Sequence, residues 1–455
     1  MKKLCTLLVL SCLLYGCSSG QSNVPSEIIS VILVSDDFNN PDDSDASDDF
    51  NNPDDLEITE TISEPEDFSV TETEPFTAEP EYRFSPEKIA SALADTAELT
   101  QHMQFLSEKH YAVGMSIAVF VNGEVIYTFN SGYADKEAGI LVSNETKYRC
   151  ASVSKTATAV CAMILAERGK LDLDAPISGI IGINMDNHTG VLNTTRHLLT
   201  HTSNITSGLF YNIALMYNPP LSLAQLSEEG FCSDVLPGSR YFYSNFGASL
   251  IAAVAESVTG ERFYDFAYEN LFTPLGMDAG YMRTFIKDSE NIANVYEGGV
   301  LNKEVKTWGR TPAFYSQIPL GQAYGYAECE LIISASDLAK LGIILSGDGS
   351  YNGVYILNQQ SVDEMNRIYI SGGESSYGLG LRMNENVIEG RTITGHAGQA
   401  LGMVSGLYFD ASDGTGVAVL TNGCSVTSRA NDMYGINDDV VRAVYDWFFE
   451  RKFYK

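Results

Sequence analysis

The sequence predicts an α+β fold: one antiparallel sheet built from both chain ends, flanked by helices, with a mostly helical insertion domain between the two halves. Three observations predict it. Strand-like runs gather at residues 113–130 and 377–421, on either side of a stretch with helical periodicity. The first pair of runs is separated by Asn122-Gly123, a signal for a tight primed turn and hence an antiparallel hairpin. With 455 residues, 44% hydrophobic and 11% aromatic, the chain also has the material for a substantial core.

The first segment, residues 1–17, joins Met1-Lys-Lys3 to an apolar run from Leu4 to Tyr15 and reads as a secretory signal, too short to span a membrane. It ends in Leu14-Tyr-Gly-Cys17, which resembles a bacterial lipobox; that resemblance implies lipidation of Cys17 after cleavage. Residues 18–84 hold 19 acidic residues against one arginine, and they include the near-duplicate runs Ser35–Asp43 and Ser47–Asp55. Such a composition buries too little apolar surface to offset chain ordering, so this segment is expected to be a disordered acidic tether. An exported, membrane-anchored protein is the resulting expectation.

Residues 85–455 are the expected globular domain. Ser85 as N-cap and Pro86 at the first helical position open an amphipathic run through Ile89, Leu93, Leu99, Met103 and Leu106. The hairpin of residues 113–121 and 124–130 follows, then a helix opened by Ser152 and stopped by Gly169. Helices are expected over Phe246–Val258, Phe263–Leu271 and Asp337–Leu345, the last capped by Ser336. Strands are expected over 377–383, 391–394, 402–409 and 415–421, before a final amphipathic helix carrying Val440, Val441, Val444, Trp447 and Phe448.

The net charge of −31 and the lack of a Lys/Arg cluster after the first residues exclude a nucleic-acid partner. Five cysteines follow the leader, Cys150, Cys161, Cys232, Cys329 and Cys424, without metal-ligand spacing. They read as small buried hydrophobes.

Chemistry concentrates in Ser152-Val-Ser-Lys155. Residues three apart share a helix face, so Lys155 can bring its amine to the Ser152 hydroxyl, where first-turn N–H groups favour developing negative charge. The string alone is weak, because Ser85-Pro-Glu-Lys88 repeats it as a plain helix start. Its companions are Leu198-Leu-Thr-His-Thr-Ser203, Tyr243-Ser-Asn245, Pro274-Leu-Gly-Met277 and His396-Ala-Gly398, in that order. This series resembles the serine β-lactamase and penicillin-binding superfamily, most closely its class C β-lactamase, D-alanyl-D-alanine carboxypeptidase and esterase branch. The resemblance spans about residues 98–450 and implies a β-lactamase-like fold.

It also implies roles. Ser152 attacks an acyl carbon, Tyr243 with a lowered pKa takes the serine proton, and Lys155 holds or relays it. Asn245 orients Lys155 and the substrate amide; the N–H groups of Ser152 and Gln399 form an oxyanion hole; Gly398 lets the substrate backbone approach the strand edge. Lactam-hydrolysing members usually carry Lys-Thr-Gly where this chain has His396-Ala-Gly398, so His396 is expected to bind a substrate carboxylate and to lose that ability between about pH 6 and 8. Side chains of Glu328-Cys-Glu330 are expected to narrow one edge of the cleft, and His201 to be structural. No cofactor or metal is implied. The expected substrate is a peptidoglycan-type peptide or a small ester or amide, through D-alanyl-D-alanine carboxypeptidase-like chemistry, with carboxylesterase or β-lactamase activity, or penicillin binding without catalysis, as alternatives.

Overall fold

The computed structural model describes residues 84–184, 189–208, 211–212, 214–215, 222–227, 235–304, 311–428 and 431–453. Cys17, the leader and all but the last residue of the expected tether lie outside them, as does Cys232.

Ser85 caps helix α1 (Pro86–Leu93), its hydroxyl accepting from the Lys88 N–H at 3.4 Å. The single amphipathic run expected through Leu106 is two helices, because the chain turns before α2 (Ala97–Lys109). At ~100° per residue, Leu93 and Leu99 would sit about 120° apart on one continuous helix; the break lets both face the protein. Strands β1 (Gly114–Val121) and β2 (Glu124–Asp135) form the expected hairpin, with Val121 opposite Glu124 and positive φ at both Asn122 and Gly123. Strand β3 (Ile140–Leu141) closes that edge of the sheet.

Within the insertion run α3 (Ser154–Glu167) and α4 (Asn245–Thr259), the latter capped by the Ser244 hydroxyl. The helix expected over Phe263–Leu271 is α-helical through Ala267 and continues as a wider π-type turn to Phe272. Helix α5 (Ala335–Ser346) starts earlier than expected. Its cap is Ser334, not Ser336, because the Ser334 hydroxyl accepts from the Asp337 N–H at 3.1 Å.

The second half of the sheet comprises β4 (Ile370–Gly372), β5 (Ser375–Tyr377), β6 (Arg382–Asn384), β7 (Ile393–Ala400), β8 (Met403–Asp410) and β9 (Thr415–Thr421). The one strand expected over 377–383 is thus two, since the Gly378 N–H bonds the Leu381 carbonyl and the chain reverses there. Helix α6 (Gly435–Val444) follows and widens into a π-helical turn through Phe453.

Among the described residues the main sheet has nine strands in the order β4-β5-β6-β7-β8-β9-β1-β2-β3. All its pairings are antiparallel, and the chain ends meet where Met115 pairs Thr421 and Phe120 pairs Gly416. Alternation along each strand supplies both faces. Met115, Ile117, Val119, Val417 and Val419 pack with α1, α2 and α6, whereas Ala118, Phe120, Leu407, Phe409 and Leu420 join the core of the helical insertion. Burial on both faces explains why β1, β8 and β9 read as almost unbroken apolar runs.

Helix α5 lies directly on this sheet, and at Gly342 the approach is so close that a Cβ would fall on the buried Phe120 ring. We predict that Gly342→Ala lowers the melting temperature. The helix gains up to about 1 kcal/mol of propensity, but overpacking costs about 1–3 kcal/mol. An unchanged or raised Tm in thermal denaturation would contradict this reading.

Candidate active site

The chain enters the site through Tyr148–Arg149, a short strand paired with Ile332–Ile333. Ala151 then adopts φ +44°, a left-handed conformation uncommon for a residue with a Cβ. A single 3₁₀ turn, Ala151–Val153, carries Ser152, and the α-helix begins two residues later than expected, at Ser154. Ser152 is therefore not the helix cap. Its hydroxyl is left to side chains, while Ser154 secures the turn by donating to the Ala151 carbonyl at 2.6 Å and accepting from the Leu331 N–H at 3.0 Å.

Lys155 is 3% exposed and uses each of its three N–H donors. Nζ donates to Ser152 Oγ at 3.1 Å, to Asn245 Oδ1 at 2.8 Å and to the Glu328 carbonyl at 3.0 Å. The Tyr243 hydroxyl lies 2.8 Å from Ser152 Oγ, and Lys155 Nζ stands 5.0 Å from the centre of the Tyr243 ring. Ser152, Lys155, Tyr243 and Asn245 thus converge from the start of α3 and the start of α4. The arrangement suits acyl transfer: a hydroxyl nucleophile, a phenol within proton-transfer distance and a fixed cation beside both.

His201 does more than the local bonding expected of it. It has φ +53°, its ring packs 4.5 Å from that of Tyr243, its carbonyl accepts from the Phe242 N–H, and its Nδ1 accepts from the Ser244 N–H at 3.4 Å. It positions the segment that presents Tyr243. Burial, with the Lys155 ammonium nearby, holds His201 well below the usual histidine range.

The surroundings of His396 oppose the positive charge expected of it. The residue is 6% exposed, and burial together with the Lys155 charge pushes its imidazole down to about 3. It carries no positive charge to lose between pH 6 and 8. Arg382 stands on the neighbouring strand, where its Nε donates to the Tyr377 hydroxyl at 2.6 Å and its Nη1 lies 3.3 Å from Asp432 Oδ2. Its charge is among those acting on His396 and His201.

Gly398 is needed for packing inside the protein. A Cβ there would strike the Cys150 carbonyl and Ser405 Oγ and come within 3.0 Å of the Ser152 nitrogen. Ser405 Oγ donates to that same Cys150 carbonyl at 2.6 Å, locking β8 to the nucleophile's turn. Gln399 follows on β7, opposite Val404. Strand β6 pairs with Ile393–Gly395 alone, so beyond Gly395 that edge of β7 has no strand partner among the described residues.

Two residues expected to narrow the cleft are turned to other uses. Glu328 is fully buried and accepts from the Tyr211 hydroxyl, and Glu330 pairs with Arg149 at 2.6 Å. The role of the Glu328 carbonyl has no signature in a sequence, since any residue has one. Cys150, close to Ser152 in the chain, is no rival nucleophile, because burial pushes its thiol up to about 12. It, Cys161, Cys329 and Cys424 are free thiols. Among the described residues no group of His, Cys, Asp and Glu side chains could hold a metal ion.

The chain has known relatives. The family model described as Beta-lactamase matches residues 98–439. The chain is 25% identical over 356 residues to penicillin-binding protein 4 of Amycolatopsis lactamdurans, spanning 75% of this chain and 88% of that protein. It is 30% identical over 203 residues to esterase EstB of Burkholderia gladioli, spanning 41% of this chain and 51% of the esterase. The solved structure of the octameric penicillin-binding protein homologue from Pyrococcus abyssi aligns with a TM-score of 0.59 at 26% identity, covering 72% of this chain and 74% of that one. On the extent of that match and the shared antiparallel sheet with its flanking helices, the chain belongs to the beta-lactamase family of serine hydrolases, with penicillin-binding proteins and an esterase among its relatives.

Proposed function

We propose that this protein is an exported, lipid-anchored serine acyl hydrolase that forms an acyl-enzyme at Ser152, with D-alanyl-D-alanine carboxypeptidase-like activity on peptidoglycan-type peptides. The observation that carries the reading is the Ser152 hydroxyl held between the Tyr243 hydroxyl at 2.8 Å and the Lys155 ammonium at 3.1 Å. All three N–H groups of Lys155 are engaged, so Lys155 acts as a fixed cation and Tyr243 as the base. In acylation Tyr243, acting as the base, takes the serine proton as Oγ bonds to the carbonyl carbon. It then gives that proton to the leaving nitrogen as the C–N bond breaks. In deacylation water loses a proton to Tyr243, adds to the acyl carbon and expels Ser152 Oγ, which recovers the proton. The Ser152 and Gln399 N–H groups are the donors assigned to the oxyanion, and Asn245 keeps Lys155 in place.

A terminal substrate carboxylate needs a cation, and Arg382 is the group suited to it now that His396 is neutral. The similarity to EstB supports an esterase as the second reading. A penicillin- or peptidoglycan-binding protein without catalysis is disfavoured by the complete Ser152, Lys155 and Tyr243 set. Export and anchoring rest on residues 1–17, and no described helix is long and apolar enough to cross a membrane.

Ser152→Ala abolishes labelling by a fluorescent penicillin and by a fluorophosphonate, and Tyr243→Phe slows acylation about 10²–10⁴-fold; labelling that survives Ser152→Ala would sink the acyl-enzyme. Arg382→Leu raises KM at least several-fold for peptides ending in a free carboxylate, and more than for neutral esters. In wild type the pH–rate profiles of the two substrates run parallel between pH 6 and 8, because an imidazole with its pKa near 3 does not titrate there. A fall confined to the carboxylate substrate would restore His396 as its binding group. Finally, Cys17→Ser abolishes fatty-acid incorporation and releases the protein from the membrane fraction; incorporation that persists would remove the lipidation site.

A further inference from the structure

The segment that offers its carbonyl to Lys155 is gripped at several points by the chain around Ser152. Residues Glu328 to Leu331 form a turn ahead of Ile332–Ile333, with the Cys329 and Glu330 N–H groups both bonded to the Tyr326 carbonyl. Three of its four carbonyls are taken from the nucleophile's side: that of Glu328 accepts from Lys155 Nζ at 3.0 Å, that of Cys329 from Arg149 Nη2 at 3.3 Å, and that of Leu331 from the Cys150 N–H at 3.0 Å. The Leu331 N–H in turn donates to Ser154 Oγ at 3.0 Å.

Arg149 has a particular place in this grip. It is 5% exposed, and one nitrogen, Nη2, carries two hydrogens. One goes to the Cys329 carbonyl and the other to Glu330 Oε1 at 2.6 Å. Glu330 thus fixes the guanidinium, and the guanidinium fixes the Cys329–Glu330 peptide plane. The Glu328 carbonyl belongs to the adjoining plane. Two rigid planes that share the Cys329 Cα constrain each other's orientation. Lys147 provides a contrast on the same stretch of chain: it is as deeply buried as Arg149, but gives its ammonium to Asp278 at 2.8 Å.

We propose that Arg149 is a positioning residue for acyl transfer. By holding the Cys329 carbonyl it aims the Glu328 carbonyl at Lys155, and so keeps the Lys155 ammonium beside the Ser152 hydroxyl. Arg149 touches no reacting atom and exchanges no proton. Without it the Glu328 carbonyl loses its fixed direction, Lys155 loses one of three acceptors, and Nζ is freer to swing away from Ser152 Oγ. The inference rests on the acyl-hydrolase reading above.

The test separates aim from stability in the full-length protein. Arg149→Met leaves the Glu330 carboxylate without its cation and lowers the Tm. In Arg149→Met/Glu330→Met both charges are gone, so most of that loss in Tm is recovered, but no guanidinium reaches the Cys329 carbonyl. Both variants are expected to be labelled at Ser152 by a fluorophosphonate about 10–10²-fold more slowly than wild type at saturating probe, well below either Tm. The probe concentration giving half the limiting rate stays within about twofold, because the loss falls on the chemical step and not on binding. Lys147→Met lowers the Tm but keeps the limiting rate within about twofold of wild type. A double variant whose labelling rate recovers together with its Tm overturns the inference, as does a Lys147→Met protein slowed as much as Arg149→Met. Either result reduces Arg149 to half of a stabilising ion pair. Should Arg149→Met fail to fold, the double variant decides by itself. Wild-type labelling distinguishes the two levels. A wild type that is not labelled at Ser152 removes the acyl-hydrolase reading and this inference with it, whereas a labelled wild type matched in rate by the double variant removes this inference alone.

Discussion

A buried ammonium is tolerated only if its desolvation is offset by acceptors for its N–H groups. Lys155 meets that demand with a hydroxyl from Ser152, a side-chain amide from Asn245 and a main-chain carbonyl from Glu328. These acceptors come from three distant stretches of chain, so satisfying one charge fixes the mutual position of the turn before α3, the start of α4 and the segment leading to α5. The neighbouring elements are tied to the same point. Ser154 bonds Leu331, Ser405 bonds the Cys150 carbonyl, and His201 braces the strand-like entry to α4 that carries Tyr243.

The same charge sets the chemistry of the residues around it. Histidines buried near a fixed cation stay neutral, and both His201 and His396 are driven in that direction. Positive charge is displaced to Arg382, held by Tyr377 and Asp432 one strand away.

The sheet makes this arrangement rigid. Strand β7 is paired along its length with β8, which is in turn held between β7 and β9 within a sheet buried on both faces. The open edge beyond Gly395 therefore belongs to a strand whose own position is over-determined. Close approach is bought with absent side chains: Gly398 against the nucleophile's turn and Gly342 against the Phe120 ring.

Much of this was legible in the sequence because it depends on local signals. Alternation and the Asn122-Gly123 turn marked the hairpin, the Ser85 cap marked the first helix, and the order of the Ser152, Tyr243 and His396 elements marked the site. Errors arose where two local signals competed: Ser334 against Ser336 as the cap of α5, a continuous run against the break between α1 and α2, and one strand against two over 377–383. What no local pattern could supply is the environment of each group. Backbone carbonyls such as that of Glu328 are invisible in a string of side chains, and the turn of the Glu328 carboxylate away from the cleft depends on Tyr211, over a hundred residues distant. The sequence by itself determined that a serine, a lysine and a tyrosine would meet in an antiparallel, helix-flanked fold. Only the tertiary structure decided that the His396 imidazole is pushed well below its ordinary range, because burial and the proximity of Lys155 are properties of the folded chain.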